Sequence, residues 1–404
     1  MSAPELPLAL FGAPPAFAEP LHVGRPNIGD RARLMQRIED VLERRWLTND
    51  GPCVREFERR IRELVGVRAC VATCNATIAL EILIRAVGMR DEVIVPSFTF
   101  VATAHALQWQ EIKPVFCDVD PRTHMLDPGR VEELITPKTS GIIGVHLWGR
   151  VCDVDGLQAV ADRHGLALIY DAAHAFGCSR NGRMVGGFGQ AEVFSFHATK
   201  FFNSFEGGAI VTDDEGLAEK VRLMRNFGFR GKDNVVYLGS NGKMTEVCAA
   251  MGLTSFDAMN EFIAVNKRNH ECYCDALGAV PGIRVLQFPA DEGSNYHYVV
   301  ADVEERDAGL SRDELVRVLE AENVLARRYF TPGVHLMEPY RSFQPQAGLV
   351  LPETERLSGR VMTLPTGQTV SEDDVRRVAR VIATACAHAD RVRARLGRKA
   401  GTAN

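Results

Sequence analysis

The chain has 404 residues, of which 46% are hydrophobic and 25% are charged, and its formal net charge is −5. This composition is typical of a globular protein with room for two domains, and it lacks the basic excess that nucleic-acid-binding domains carry. No apolar run approaches the roughly 18 residues that a membrane span requires, and the N-terminus lacks the basic start of a signal peptide, so we expect a cytoplasmic protein with reduced cysteines.

The N-terminal part of the chain has the alternating pattern of an α/β sheet domain. Residues 1–20 indicate a mobile or docking arm, and apolar residues at helical spacing then predict two surface helices. Mostly apolar strands follow, separated by helices, which predicts a parallel or mixed sheet covered on both faces. The expected helices span residues 30–49, 54–65, 77–87, 102–108 and 157–164, and the expected strands span residues 69–72, 92–95, 115–119, 141–147, 166–170, 193–196 and 209–212.

The pattern changes after about residue 252, where a smaller α+β region is expected. Its expected helices span residues 255–277, 312–322 and 372–388, and its expected strands span residues 296–303 and 324–329. The basic end, residues 391–399, is predicted to be a frayed tail without a specific partner. We therefore predict a large α/β domain over 1–254, including the N-terminal arm, and a smaller α+β domain over 255–404.

A lysine follows the apolar strand that ends at residue 196. The stretch FSFHATK places Lys200 in a turn of small and hydroxyl residues, and a Gly-Gly pair at 207–208 opens the next apolar run. A lysine amine at a strand end can form a Schiff base with a carbonyl if its surroundings keep it partly deprotonated. The alternative is a solvated loop lysine, which is the common state of this residue type.

An aspartate follows the buried strand LALIY. Asp171 lies at the carboxyl end of that strand, where open α/β sheets place their ligands. An aspartate upstream of such a lysine fits the arrangement for pyridoxal phosphate (PLP), in which the carboxylate pairs with the pyridinium nitrogen. Because this pair keeps the ring nitrogen protonated, the ring can accept the electrons released when a Cα proton leaves. An N-cap for the next helix is the alternative.

Five sequence blocks occur in order along the chain. They are VIVPSFTFVATAHAL, DAAHAFG, FSFHATK, EGGAIVTDD and KMTEVCAAMGL. Together they resemble the DegT/DnrJ/EryC1/StrS family of PLP-dependent sugar aminotransferases, over roughly residues 25–385. The resemblance implies an α/β fold of PLP-dependent transferase type I, aspartate-aminotransferase-like, with a large mixed or parallel sheet domain and a smaller C-terminal domain. It also implies PLP as cofactor, pyridoxamine phosphate as intermediate, and a homodimer with shared active sites.

The same resemblance assigns residues to the cofactor phosphate. Where the family usually has Ser-Gly-Thr, this chain has Asn75-Ala76-Thr77, at a helix N-terminus whose N–H groups and dipole favour an anion. The family pattern implies that Ala76 and Thr77 bind the phosphate, that Ser195 hydrogen-bonds it, and that Asn241 reaches the neighbouring subunit's phosphate. A plain helix cap and a turn asparagine are the respective alternatives.

Four further residues are assigned to the ring and the sugar. The family pattern implies that Phe100 stacks on the pyridine ring, although aromatic residues at strand ends are often core residues. His174 stands where the family often has Gln, and it would lie against the ring or bond its 3-oxygen. Tyr329 and His335, in RRYFTPGVH, occupy the segment where the family meets its sugar. The paired arginines of that segment either face a diphosphate or are solvated.

The expected activity is transamination of a nucleotide-linked keto-sugar, with L-glutamate as the donor. Lys200 holds PLP and, once free, moves a proton between Cα and C4′. The stretches CNATIALE and RRYFTPGVH most resemble family members that act at C4 of a dTDP-4-keto-6-deoxyhexose. The alternatives are an aminotransferase for a 3-keto-sugar or an inosose-type cyclitol, a sugar 3-dehydrase relative, against which Lys200 argues, and a regulatory protein without catalysis. No metal is expected, because neither Cys70 with Cys74 nor Cys272 with Cys274 has a matching His or Cys partner at ligand spacing.

Overall fold

The computed structural model describes residues 6–343 and 351–400, so residues 1–5 of the expected N-terminal arm lie outside the described part. The helices are two 3₁₀ turns at Ala9–Phe11 and Val334–Leu336, and α1 (Arg31–Arg44), α2 (Pro52–Val65), α3 (Ala76–Ala86), α4 (Ala102–Gln108), α5 (Pro128–Glu133), α6 (Val154–His164), α7 (Glu215–Arg225), α8 (Glu246–Leu277), α9 (Glu305–Ala308), α10 (Arg312–Ala321), α11 (Tyr340–Phe343), α12 (Pro352–Arg360), α13 (Glu372–Ala387) and α14 (Ala389–Ala400).

The strands are β1 (Leu21–His22), β2 (Ala69–Thr73), β3 (Glu92–Pro96), β4 (Lys113–Cys117), β5 (Thr139–Val145), β6 (Ala167–Asp171), β7 (Ser179–Arg180), β8 (Arg183–Met184), β9 (Ala191–Ser195), β10 (Gly208–Thr212), β11 (Ile283–Val285), β12 (Glu292–Gly293), β13 (Val299–Val303), β14 (Val324–Leu325) and β15 (Val361–Leu364). Each strand predicted before residue 252 is present, with its ends within a few residues of the expected positions. Among the described residues, no helix is both long and apolar enough to cross a membrane.

Seven strands form the central sheet, in the order β2-β10-β9-β6-β5-β3-β4. Only β10 runs antiparallel to its neighbours, so the expectation of a mixed sheet is confirmed. Side chains of alternate residues enter separate cores on the two faces, for example Leu168 on one face and Ile169 on the other. Burial on both faces explains why these strands read as continuous apolar runs.

A second, antiparallel sheet of β11, β13 and β15 lies in the C-terminal part of the chain, where α8 and α13 pack together. Helix α8 begins at Glu246, nine residues before the expected start, because the Thr245 hydroxyl caps it by accepting the Cys248 N–H at 3.3 Å. The expected domain boundary at 254/255 therefore falls inside this helix. The division into two domains stays a prediction.

The described part of the N-terminal arm docks on the C-terminal core. Leu8, Leu10 and Phe17 are buried in the same cluster as residues of α10 and α13. The Glu322 carboxylate accepts the backbone N–H groups of Ala9 at 2.6 Å and Ala16 at 2.7 Å. Apolar burial and these two hydrogen bonds hold the arm against the smaller sheet region.

The prediction of a frayed basic tail was wrong, because the chain end forms α14. Its apolar residues Val392 and Leu396 are spaced i, i+4, lie on one helix face and are buried in the C-terminal core. The Arg395 guanidinium donates to the Leu10 carbonyl at 3.1 Å. The basic residues therefore flank an apolar stripe, and the stripe decides where the helix packs.

Two expected strands of the C-terminal region are shorter than predicted. The first starts at Val299, because Tyr296 has a φ of 51° and the Asn295 side chain accepts the His297 N–H at 3.0 Å, which forms a turn. The second ends at Leu325, after which Arg327 pairs with β15. Both irregular segments lie beside the lysine site described below.

Candidate active site

The predicted site residues converge on one edge of the central sheet. Strands β2, β9 and β6 run in the same direction, so their carboxyl ends meet there, and the amino end of antiparallel β10 joins them. Asp171 ends β6, Ser195 ends β9, and Gly208 of β10 pairs with both Ser195 and Thr73. This edge is the place where open α/β sheets bind their ligands.

Lys200 lies in the turn after β9, where its N–H donates to the His197 carbonyl at 2.8 Å. Its Nζ donates to the Tyr298 hydroxyl at 3.1 Å. Burial of the amine lowers the pKa of Lys200 to about 8, against the smaller opposing effects of Asp171 and Tyr329. At pH 7 a larger fraction of this amine is therefore neutral and nucleophilic than of an ordinary lysine.

The lowered pKa predicts the pH dependence of PLP uptake by cofactor-free enzyme. Since only the neutral amine attacks a carbonyl, the uptake rate should rise with pH and level off above about pH 8. Stopped-flow absorbance between about pH 6.5 and 9.5 would measure the midpoint. A rate still rising tenfold per pH unit at the upper end would show that the amine is an ordinary, solvated one.

Asp171 is a buried carboxylate with two hydrogen-bond donors. Thr103 Oγ1 donates to one carboxylate oxygen at 2.8 Å, and the Ala173 N–H donates to the other at 3.1 Å. No cationic side chain among the described residues lies within 4 Å of it, and burial raises its pKa. A buried carboxylate without a cation partner fits a bound pyridinium N–H, which would supply the missing charge.

Aromatic rings form a wall beside Lys200. The ring of His174 lies 4.5 Å from that of Tyr298 and is stacked on Phe330 at 6.2 Å. Burial, aided by the charge of Lys200, holds the pKa of His174 well below its usual value, so the imidazole is neutral. His174 Nδ1 accepts the backbone N–H of Trp148 at 3.4 Å, so the proton of the neutral ring is assigned to Nε2. His174 can therefore donate a hydrogen bond to an oxygen of a bound ring.

The start of α3 fits an anion. The Asn75 side chain caps the helix by accepting the Ile78 N–H at 2.8 Å, while the N–H groups of Ala76 and Thr77 have no partner among the described residues. Gly208 packs directly on this turn, since a Cβ there would come within 2.7 Å of Ala76 N. Two free N–H groups at a helix N-terminus suit a phosphate.

Three further predicted residues differ in their exposure. Tyr329 is half-buried, and its ring lies 6.2 Å from that of Tyr298. Phe100 is 57% exposed, free to contact a ligand. Asn241 is exposed and accepts a hydrogen bond from Lys243 Nζ at 2.7 Å. Their roles toward ring, sugar and partner stay predictions.

His335 is the exception, since the structure does not bring it to the lysine. It is fully buried, its Nδ1 lies 2.6 Å from the Ser97 hydroxyl, and its ring packs against Phe116. A histidine enclosed in this way has no surface to offer a sugar. The expectation that it contacts substrate rested on its place in the RRYFTPGVH segment, and the chain turns inward before reaching it.

Sequence reasoning missed Tyr298 and Thr103. Tyr298 is fully buried against Lys200, 98 residues away in the chain, and Thr103 holds Asp171 from 68 residues away. A signal for Tyr298 existed in the polar and aromatic stretch NYHY before an apolar strand. For Thr103 the only signal is a second threonine four residues after Thr99, and these hydroxyls lie 3.2 Å apart.

A mixed α/β sheet with a desolvated lysine and a buried aspartate at one edge fits the site of a PLP-dependent enzyme. The chain belongs to the DegT/DnrJ/EryC1/StrS aminotransferase family, which it matches over residues 29–383. It is therefore an aminotransferase by family.

Three relatives illustrate the match. The dTDP-4-amino-4,6-dideoxy-D-glucose transaminase of Shigella dysenteriae is 36% identical over 355 residues, which are 88% of this chain and 96% of that protein. GDP-perosamine synthase of Caulobacter vibrioides is 35% identical over 364 residues, 89% of this chain and 96% of that protein. The crystal structure of DesI in the presence of its TDP-sugar product is 52% identical, covers 96% of this chain and 98% of that one, and superposes with a TM-score of 0.92.

Proposed function

We propose that this enzyme transfers the amino group of L-glutamate to C4 of dTDP-4-keto-6-deoxyglucose, in deoxyaminosugar biosynthesis. The observation that carries the proposal is the Lys200–Asp171 site in a chain 52% identical to DesI, a protein with a TDP-sugar product. The name of the Shigella relative, which specifies a dTDP-linked 4-amino-4,6-dideoxy-D-glucose, supports the same sugar and the same carbon.

The residues at the sheet edge fit both the ring nitrogen and the phosphate of PLP. In our proposal Asp171 accepts the ring N–H, and Ala76, Thr77 and Ser195 donate to the phosphate. His174, whose Nδ1 already accepts the backbone N–H of Trp148, would donate from Nε2 to the ring oxygen. When bound, PLP supplies an electron sink for the pair left by a departing Cα proton, and pyridoxamine phosphate stores the amino group between the half-reactions.

Lys200 performs the proton transfer in this proposal. With PLP bound, the neutral amine of Lys200 would act as general base and acid, moving a proton between the donor's Cα and C4′ in the first half-reaction and in the opposite direction on the keto-sugar in the second. One water would be taken up when the keto acid is released, and one would be given off when the keto-sugar takes up the nitrogen. The Tyr298 hydroxyl can hold the free amine in place meanwhile, by the bond seen here. Phe100 stacks on the ring and Tyr329 contacts the sugar.

An absorbance experiment tests the proposal. The visible band of the lysine-bound cofactor should bleach with glutamate and return with dTDP-4-keto-6-deoxyglucose. Bleaching without return would keep the aminotransferase and exclude this sugar. A GDP-linked 4-keto-sugar is the next substrate to add, since GDP-perosamine synthase is 35% identical, and a 3-keto-sugar or an inosose follows. Product NMR would then locate the aminated carbon.

We also propose a homodimer in which Asn241 completes the partner's phosphate site. Two segments leave apolar side chains exposed for a second copy to cover. These are Met35, Leu42, Trp46 and Leu47 on and after α1, and Phe227, Val235 and Leu238 in the segment that leads to Asn241. Burial of such side chains is the main favourable term in association.

Subunit mixing tests the shared site. Variants K200Q and N241A should each be nearly inactive alone, and mixed dimers should regain activity, because one site of each mixed dimer then contains both Lys200 and Asn241. If that one site recovers fully, each mixed dimer should have about half the activity of a wild-type dimer. Activity that stays at the level of the separate variants after subunit exchange, verified by mass spectrometry, would place both residues in the same subunit's site.

A further inference from the structure

An arginine extends the aromatic wall beside Lys200. The guanidinium of Arg327 lies 5.4 Å from the ring centroid of Tyr329, and that ring lies 6.2 Å from the ring of Tyr298. The Tyr298 hydroxyl in turn bonds Lys200 Nζ at 3.1 Å. The edge-to-face rings of Tyr329 and Tyr298 therefore connect the guanidinium to the amine of Lys200.

The backbone of Arg327 is fixed while its side chain is open to solvent. Its N–H donates to the Thr363 carbonyl at 3.1 Å, and its carbonyl accepts the Thr363 N–H at 2.8 Å. This pairing ties the residue to β15 of the smaller sheet. The ring of Tyr329 gives the exposed guanidinium one cation–π contact beside the site.

The charge of Arg327 has no counter-ion in the described part of the chain. No carboxylate there lies within 4 Å of its guanidinium, whereas the neighbouring Arg328 lies 3.6 Å from Asp313, and Arg312 lies 2.8 Å from the same carboxylate. The field of Arg327 reaches the site, since it opposes the rise that burial causes in the pKa of Tyr298. An open cation therefore faces the place where substrate must bind.

We propose that Arg327 is the oxyanion-binding residue of this active site, forming a bidentate pair with a carboxylate or phosphate group of a bound substrate. The proposal rests on the proposed function, in which both substrates are anions, glutamate through its carboxylates and the nucleotide-sugar through its diphosphate. The planar guanidinium fork matches either group and stays charged at any working pH. It places the reacting carbon of a bound substrate toward Lys200.

The test compares R327M and R327K with R328M in purified PLP-loaded enzyme. Arg328 is a matched control, because it is the adjacent residue, exposed and already paired with Asp313. Glutamate is titrated against bleaching of the visible band, which gives a half-saturating concentration and a limiting rate. Binding of dTDP, which carries the diphosphate alone, is measured by calorimetry. The unbleached spectrum and the melting temperature report whether the cofactor site and the fold are intact.

We expect R327M to raise the half-saturating glutamate concentration or the dTDP dissociation constant by about 10- to 100-fold, with the limiting rate changed by less than about threefold. R327K should fall between R327M and wild type, since it keeps the charge and loses the planar guanidinium fork.

The outcomes distinguish the two ligands. An effect on glutamate alone assigns Arg327 to the donor carboxylate, and an effect on dTDP alone assigns it to the diphosphate. Unchanged binding of both ligands, or equal losses in R328M, would overturn the proposal. Wild-type enzyme that glutamate cannot bleach would instead contradict the proposed function.

Discussion

Replacement of Lys200 by glutamine is expected to abolish amino transfer, with a loss of at least about 10⁴-fold, or about 5 kcal/mol of activation free energy. Glutamine cannot form the covalent bond to PLP and cannot move a proton, so both functions of the amine disappear together. The measurement is the rate of bleaching by glutamate in PLP-supplemented enzyme. Borohydride reduction followed by mass spectrometry should label the Lys200 peptide in wild type and leave the variant unlabelled.

A second lysine provides the matched control for this experiment. Lys220 also donates to a neutral oxygen, the Ala86 carbonyl at 2.7 Å, and its amine also lies over an aromatic ring, that of Tyr237. Since it belongs to α7, away from the sheet edge, K220Q should keep the visible band and the half-reaction rates. A K200Q enzyme that still showed a reducible, lysine-bound cofactor would mean that another lysine holds PLP.

Replacement of Asp171 by asparagine is expected to slow the glutamate half-reaction by about 10³-fold, or about 4 kcal/mol. The amide has nearly the same shape and fits the same space, but it cannot hold a proton on the pyridine nitrogen, so the ring loses its capacity to accept electrons. The stability of the fold should change little or rise, because the substitution removes a buried carboxylate that has no cation partner among the described residues. Single-turnover absorbance and thermal melting separate the two effects.

Asp118 is the matched control, as another buried aspartate at a strand end. It is paired with Arg130 at 2.7 Å and accepts the backbone N–H groups that begin α12. D118N should therefore lower the melting temperature, since it leaves a guanidinium without its partner, while the spectrum of the bound cofactor stays the same. D171N should therefore lose activity and keep its stability, whereas D118N should lose stability and keep its cofactor spectrum. A D171N enzyme with wild-type single-turnover rates would remove Asp171 from the mechanism.

The central sheet and its two key residues could be predicted from the sequence because their signals are local. Apolar runs bounded by small and polar residues located each strand of the large sheet, and Lys200 and Asp171 each follow such a run directly. The rule that parallel strands present their carboxyl ends at one edge then brings the two residues together without further information. The family motifs added the cofactor and the class of substrate.

The errors at the chain end and at α8 have different causes. The basic residues of α14 obscured two apolar positions whose burial depends on the core formed by α10, α13 and the N-terminal arm. The early start of α8 depends on a cap at Thr245, which lies in the family block KMTEVCAAMGL. Tertiary contacts thus decide the packing of α14, whereas the start of α8 follows from a local cap.

The sequence alone thus determined the family and the type of fold, and it predicted the two residues that we propose carry the chemistry, since these depend on local patterns and residue identity. Only the tertiary structure decided which side chains surround them. Tyr298 reaches Lys200 and Thr103 reaches Asp171 because the smaller sheet and α4 pack on the sheet edge, whereas His335 turns inward to Ser97. Contacts between distant segments depend on how the elements pack, and that packing follows from the burial of whole faces, which no single stretch of sequence specifies.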